Sequence, residues 1–373
     1  MISTIHIQGY RGLEDFEMGS LGRLNLLVGT NNSGKTSVLE AVNLLMSRGD
    51  PASLWQLLWR RGERQSLPVS GPERARRPQW ELDVSHLFFG HEAHTGSRFT
   101  ISSRNQTPEA SVVFTVTELS PKERAEIFGA DDEGALPSRL ALQIKGHPKP
   151  PVSLVPLSRT GGISADAVEA TPRRVRRRAT EEYPLVFVTA ESLTVDELIG
   201  LWDRVSLTPA EGLVLRALQF IDRDVERIAA QAATPPYYTF PSRGGFIVKR
   251  KNFDQPIPIG TMGDGMWRML AMAIAITQCR GGVLLVDEID TGLHYSVMAE
   301  MWRLIFRAAK EFDVQLFATT HSYDCVYSLA QISGEADSRN PVTVQRIESG
   351  RGKATPYTDS EIRVAADREI EVR

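Results

Sequence analysis

Residues 29–36 read Gly29-Thr30-Asn31-Asn32-Ser33-Gly34-Lys35-Thr36, between two segments of opposite periodicity. Before them, Leu24-Asn25-Leu26-Leu27-Val28 is nearly all apolar, as a buried strand is. After them, Val38, Ala41, Val42 and Leu45 recur at i, i+3, i+4 and i+7, one face of a helix. A strand, a glycine loop and a helix in that order open an α/β domain. The loop itself has the GxxxxGK[ST] form. Its glycines let backbone N–H groups turn toward phosphate oxygens, Lys35 suits the β- and γ-phosphates, the Thr36 hydroxyl suits Mg2+, and the helix N-terminus adds its dipole. The same letters could make a glycine turn with a surface lysine. The strand before and the helix after are the context that phosphate binding requires.

The last third returns to the same alternation. A helix is expected over 265–278, a buried strand over 282–286, a helix over 297–311 and a strand over 314–318. A further strand over 342–347 and a short helix follow. The run Val283-Leu284-Leu285-Val286 ends in Asp287-Glu288, and two acids at the end of an apolar strand are costly unless they meet a cation or a substrate. Asp287 suits Mg2+, directly or through water, and Glu288 suits polarising a water that attacks a γ-phosphate. Ala318-Thr319-Thr320-His321 sets a histidine at the end of another apolar strand, the edge of a parallel sheet where ligands sit.

Between these ends the reading is coarser. Short β-type stretches at 80–89, 98–102, 111–116, 140–144 and 152–157 suggest an antiparallel subdomain. Helical patterns run from about residue 195 to 232, with Leu213, Leu215, Leu218 and Ile221 on one face, and residues 48–78 carry no clear pattern. Trp55 with Trp59, and Met262, Met266, Met269 and Met272, read as packed helix faces.

In this order the motifs resemble those of ABC-type ATPases: residues 29–36 as Walker A, Asp287-Glu288 as Walker B, Asp290-Thr291-Gly292-Leu293-His294 as the D-loop and His321 as the switch histidine. Thr261-Met262-Gly263-Asp264-Gly265-Met266 stands where the signature motif belongs, with Gly263 in place of its serine. The opening Ile7-Gln8-Gly9-Tyr10-Arg11-Gly12-Leu13 is similar to the start of the RecF, SMC and OLD branch, and the chain resembles AAA-named ATPases of the OLD-like, RecF-like group. The resemblance implies an α/β P-loop ABC-type core with an antiparallel β subdomain and an inserted helical lobe. The core is expected at 1–47 and 246–373, the β-rich insertion at 48–190 and the helical lobe at 191–245.

It further implies ATP and Mg2+ as cofactors, with Gly29, Asn31, Asn32, Ser33, Gly34, Lys35, Thr36, Ser37 and Arg11 holding the nucleotide. Thr36 and Asp287 would hold the metal, Glu288 and His321 would be catalytic, and Gly263 and Gly265 would touch a partner's nucleotide. The Q-loop glutamine is open among Gln65, Gln79 and Gln106. The resemblance implies a homodimer or higher homo-oligomer, assembled by two sandwiched ATP molecules, acting with a separate nuclease or toxin in DNA transactions or anti-phage defence. Two other uses stand open: a RecF-type repair factor clamping duplex DNA, and a scaffold or sensor that binds ATP with negligible turnover.

Spacing narrows the group. Lys35 and Asp287 lie 252 positions apart, too far for a compact transporter ATPase, yet no heptad array marks a coiled-coil arm. The 52 residues after His321 lack the acid-rich α/β pattern of a Toprim nuclease. A net charge of −3 argues against a general nucleic-acid coat, although arginine (35) far exceeds lysine (8). Residues 173–178 and Arg60, Arg61, Arg74, Arg76 and Arg77 are either solvated faces or contacts to DNA phosphate. No apolar run is long enough to span a membrane, no secretory signal opens the chain, and the isolated Cys279 and Cys325 suggest a reducing cytoplasm.

Overall fold

Leu24–Val28 is buried at all five positions, so it can only be an inner strand covered on both faces. It is β3 of the computed structural model, which describes residues 1–66, 80–104, 109–128, 139–147, 152–158, 160–169, 184–231, 245–251, 253–334 and 341–368. The run 173–178, Arg74, Arg76, Arg77, Gln79 and Gln106 lie outside the described residues.

β3 sits inside a six-stranded sheet ordered β11 (Leu185–Val188), β15 (Val283–Val286), β16 (Gln315–Thr319), β3, β17 (Val342–Arg346) and β18 (Thr355–Thr358). All neighbours are parallel except β18, which returns antiparallel to β17. Parallel strands need crossovers. Helices α1 (Lys35–Met46), α7 (Asp264–Gln278), α8 (Tyr295–Glu311) and α9 (Tyr323–Ser333) lie in them. The expected strands and helices of both chain ends are found here, within a residue or two of their bounds.

The second six-stranded sheet is antiparallel: β2 (Leu13–Met18), β1 (Thr4–Tyr10), β6 (Arg98–Arg104), β7 (Ala110–Glu118), β8 (Leu140–His147) and β9 (Ser153–Pro156). Residues 1–47 are expected in the core, but their first two strands, β1 and the unforeseen β2, belong to the sheet of the insertion. The reason is burial: Ile5, Ile7, Phe16 and Met18 share a core with Val38, Ala41, Val42 and Leu45 of α1. Helix α1 lies between the two sheets, touching β1, β6 and β7 as well as β11, β15 and β16. Strand periodicity divides the parallel sheet's faces accordingly. Leu27, Leu285 and Phe317 join the α1 side, while Leu26, Leu284 and Leu316 join a second core around α7. Burying each such aliphatic side chain is worth about 1.5–3 kcal/mol over leaving it exposed.

Two small antiparallel sheets complete the strands: β10 (Gly162–Ser164), β5 (Trp80–Asp83) and β4 (Arg64–Ser66), and β12 (Val225–Ala230), β13 (Phe246–Arg250) and β14 (Ile257–Pro258). Among the described residues the other helices are α2 (Pro51–Arg60), α3 (Pro121–Phe128), α4 (Ala165–Glu169), α5 (Val195–Trp202), α6 (Glu211–Gln219) and α10 (Asp359–Asp367). Helix α2 falls in the unassigned stretch, capped by Asp50, whose carboxylate accepts the Ser53 N–H, with Pro51 at its first position. In the expected helical lobe, α5 and α6 are helices but Val225–Ala230 is a strand. A register shift between Val225 and Arg227 puts the buried Val225 and Ile228 three apart, so a bulged strand carries helical spacing. Met266, Met269 and Met272 are core, and Trp55 stacks on Trp59 with the Arg64 guanidinium over the outer ring.

Candidate active site

The register aligns Val286 with Ala318, Ala318 with Leu26 and Thr319 with Leu27, so β15, β16 and β3 end level with one another. Their following loops carry Asp287-Glu288, Thr320-His321 and residues 29–36. Three segments far apart in the chain thus share one carboxyl edge, the ligand side of a parallel sheet.

The glycine loop wraps closely. Gly29 has φ 145 and a Cβ there would run into the Ile347 carbonyl; Gly34, at φ 100, caps α1. Asn31 and Asn32 face solvent, and Asn32 adopts φ 61. Ser33 is buried with its hydroxyl unpartnered, a group that a phosphate oxygen in the loop would satisfy. Lys35 Nζ donates to the Gly29 and Thr30 carbonyls at 2.8 and 2.7 Å, folding back across the loop. Burial lowers its pKa, and Asp287 and Glu288 pull it back up. Thr36 and Ser37 open α1, half-buried.

Asp287 takes hydrogen bonds from two hydroxyls: Thr36 at 3.2 Å to each carboxylate oxygen, and Thr319 at 2.6 Å. Mg2+ is octahedral at about 2.0–2.1 Å from oxygen donors, so neighbouring donors stand about 3 Å apart. The Thr36 hydroxyl and the Asp287 carboxylate have that spacing and are hard oxygen ligands, so the pair fits Mg2+. Glu288 is half-buried at φ 48, its N–H given to the Thr319 hydroxyl oxygen at 2.8 Å and Oε2 accepting from Thr291 at 3.2 Å. His321 is exposed one residue after Thr320, which itself donates to Asp290 at 2.6 Å.

Gly263 and Gly265 lie at the start of α7, not in the loop of 29–36. Around Gly263 the space is open, whereas a Cβ on Gly265 would stand 2.8 Å from the Gly292 carbonyl of the 290–294 loop. Arg11 is occupied elsewhere. Its Nε pairs with Glu40 at 2.7 Å and its Nη1 with Glu63 at 2.5 Å, while Arg61 holds the other oxygen of Glu40 at 2.6 Å. Burial opposes the Arg11 charge, and Tyr10, Glu40 and Glu63 more than offset it, holding the guanidinium above its ordinary pKa. In this structure Arg11 binds α1 from below rather than the phosphate loop.

Gln65 lies in β4, bonded to Thr160, and does not reach the site. The loop beside the acids is instead Thr189, Ala190 and Glu191, after β11. With Thr36, Asp287, Arg60 and Arg61 it lines a cavity of about 240 Å³. Sequence reading missed it, although Leu185-Val186-Phe187-Val188 followed by Glu191 repeats the pattern of an apolar strand ending near an acid.

A glycine loop with lysine and threonine, an acid pair two strands away and a histidine after the strand between them, on one parallel sheet flanked by an antiparallel one, define an ABC-type P-loop ATPase. Two family models agree with an ATPase. One family, described as "AAA ATPase domain", matches residues 1–88, and another, "AAA domain, putative AbiEii toxin, Type IV TA system", matches residues 250–324. The chain is similar to an "ATP/GTP phosphatase" of Helicobacter pylori, 20% identical over 358 residues and 90% of each chain. A Methanocaldococcus jannaschii protein of uncharacterized function is 41% identical over 66 residues, 16% of this chain and 30% of that one. Among solved structures, an Smc head bound to the C-winged helix domain of ScpA aligns over 96% of this chain and 97% of its own, at 14% identity and TM-score 0.48. The SMC head domain of Thermotoga maritima aligns over 96% and 98%, at 12% identity and TM-score 0.40. The chain is a P-loop ATPase whose two ends match AAA-domain families.

Proposed function

We propose that this ATPase, of the OLD-like and RecF-like branch, works as a Mg2+-dependent switch in which ATP assembles two chains and hydrolysis separates them. The observation that carries the reading is the split of the site. The phosphate loop and both acids meet at one edge, while Gly263 lies at a different helix start, with open space around it. A helix N-terminus with an exposed glycine suits a phosphate brought by a second chain.

Within one chain, backbone N–H groups of 29–36 and Lys35 bind the β- and γ-phosphates, and Ser33 gains the acceptor it lacks. Bound Mg2+, held by Thr36 and Asp287, would neutralise the phosphate oxygens. Glu288 orients a water toward the γ-phosphate and takes its proton, and His321, exposed at the same edge, contacts the γ-phosphate side. Gly263 and Gly265 of the partner chain close the site. The description of the 250–324 family, which names a type IV toxin–antitoxin system, supports a setting in defence. The Helicobacter relative's name supports turnover rather than mere binding.

Light scattering of Glu288→Gln with ATP and Mg2+ tests the reading. Doubling of mass with ATP, lost when the exposed Thr261 beside Gly263 is changed to Trp, is expected. A monomer in every condition overturns the sandwich.

A further inference from the structure

Arg268 lies on α7, one turn past Gly265, and only 2% of it is exposed. A buried guanidinium is expensive unless its donors are matched. Here the two terminal nitrogens meet three backbone carbonyls and no carboxylate: Nη1 donates to Thr189 O at 2.5 Å, and Nη2 to Asp287 O at 2.5 Å and Glu288 O at 2.9 Å. Burial draws the guanidinium down to about 10, and Asp287, Asp290 and Glu288 pull the other way, so it remains charged at neutral pH.

Two of the carbonyls that Arg268 grips, those of Asp287 and Glu288, lie on either side of the Glu288 Cα. Glu288 holds φ 48, a left-handed conformation that residues with a Cβ rarely adopt. Such a conformation persists only where its surroundings over-determine it. Its N–H is tied to Thr319 and its carbonyl to Arg268, so the peptide groups on both sides of its Cα are fixed. Where the Glu288 carboxylate points follows from that kink. The other end of the tie is a rigid helix whose first turn carries Gly263 and Gly265.

We propose that Arg268 is a positioning residue that sets the backbone of Glu288 and links it to the first turn of α7. The linkage rests on the sandwich reading: a partner's nucleotide seated on Gly263 and Gly265 shifts α7, and Arg268 carries that shift to Glu288 of the same chain. Each site then fires according to the occupancy of the other.

Two arms on the full-length chain separate positioning from linkage. In the first, Arg268→Lys and Arg268→Met are compared with the parent for ATP affinity and for kcat. Lysine cannot span three carbonyls, and misplacing a water-orienting group is worth on the order of 10²-fold in rate. Affinity within twofold, a kcat loss of at least tenfold in both, and partial recovery of Arg268→Ala by millimolar methylguanidinium are expected. A parental kcat in Arg268→Lys overturns the positioning role, as does a loss of affinity equal to the loss of kcat or no recovery with methylguanidinium. In the second arm, the ATP dependence of turnover is sigmoidal in the parent and hyperbolic in Arg268→Lys. Equal sigmoidality in both removes the linkage while leaving the first arm intact. A monomeric Glu288→Gln protein removes the sandwich and the linkage with it, while the positioning role is still decided by the first arm.

Discussion

The Thr319 hydroxyl donates to Asp287 Oδ1 at 2.6 Å, and its oxygen accepts the Glu288 N–H at 2.8 Å. One side chain on β16 thereby sets the height of both acids on β15. Thr319→Val keeps the shape but leaves the Glu288 N–H unpaired, a loss of about 1–3 kcal/mol. Slower turnover with a raised Mg2+ requirement is expected, and Thr319→Ser should keep parental values. A Mg2+ titration of the ATPase rate decides it; unchanged half-saturation in Thr319→Val would show that Asp287 needs no such support.

Glu288→Gln should bind ATP as tightly as the parent and hydrolyse it at least 10²-fold more slowly, the scale of a lost general base. Single-turnover hydrolysis with pre-bound ATP isolates the step. A parental rate would assign the water to another group, with Glu191, which lines the cavity beside Asp287, the candidate to test next.

Lys35→Ala should abolish ATP binding, because the loop has no other cation. The lowered pKa of Lys35 adds a pH signature. Between that lowered value and the ordinary 10.5, the folded chain holds fewer protons than the unfolded one, so this group's share of stability rises with pH across the window. A phosphate beside the ammonium raises the pKa again, so ATP binding takes up a proton in the same window. Calorimetry in two alkaline buffers of different ionisation enthalpy should give different heats for the parent and equal heats for Lys35→Arg. Equal heats for both would mean that Lys35 keeps its proton in the free loop.

Glu40 accepts from Arg11 and Arg61 in the interior, so removing it strands buried positive charge. Glu40→Leu should lose about 3–5 kcal/mol of stability, read as a shifted urea midpoint with unchanged slope. A loss under about 1 kcal/mol would place the pairs among those that solvent screens.

Local periodicity decides which elements can be read from the letters. Leu24–Val28, α1, α7, β15 and β16 carry unbroken patterns that mark where the phosphate loop, the acids and the histidine stand, while Gly263 and Gly265 come only from the family resemblance. The strand β2 is hidden because Glu14 and Asp15 interrupt its alternation, and β12 because a bulge gives it helical spacing. Arg11 reads as a phosphate ligand because Glu40 and Glu63, its partners, are 29 and 52 positions away and nothing in the letters links them. Glu191 escapes for the same reason: β11 neighbours β15 only through sheet pairing, about 100 positions removed.

The place of β3 governs how the protein can be made. Its two neighbours are β16 and β17, with Leu24 paired to Leu316 on one side and to Val342 on the other. A ribosome that has released the phosphate loop and α1 has therefore delivered a strand with both edges bare, and they stay bare until β16 and β17 follow. Long-range parallel pairing is slow, and unpaired apolar edges invite association. The nascent chain can close the β1–β2 hairpin early, but the floor beneath its nucleotide site arrives last. A polypeptide halted before β16 would carry every letter of the phosphate loop and have nowhere to hold the phosphate.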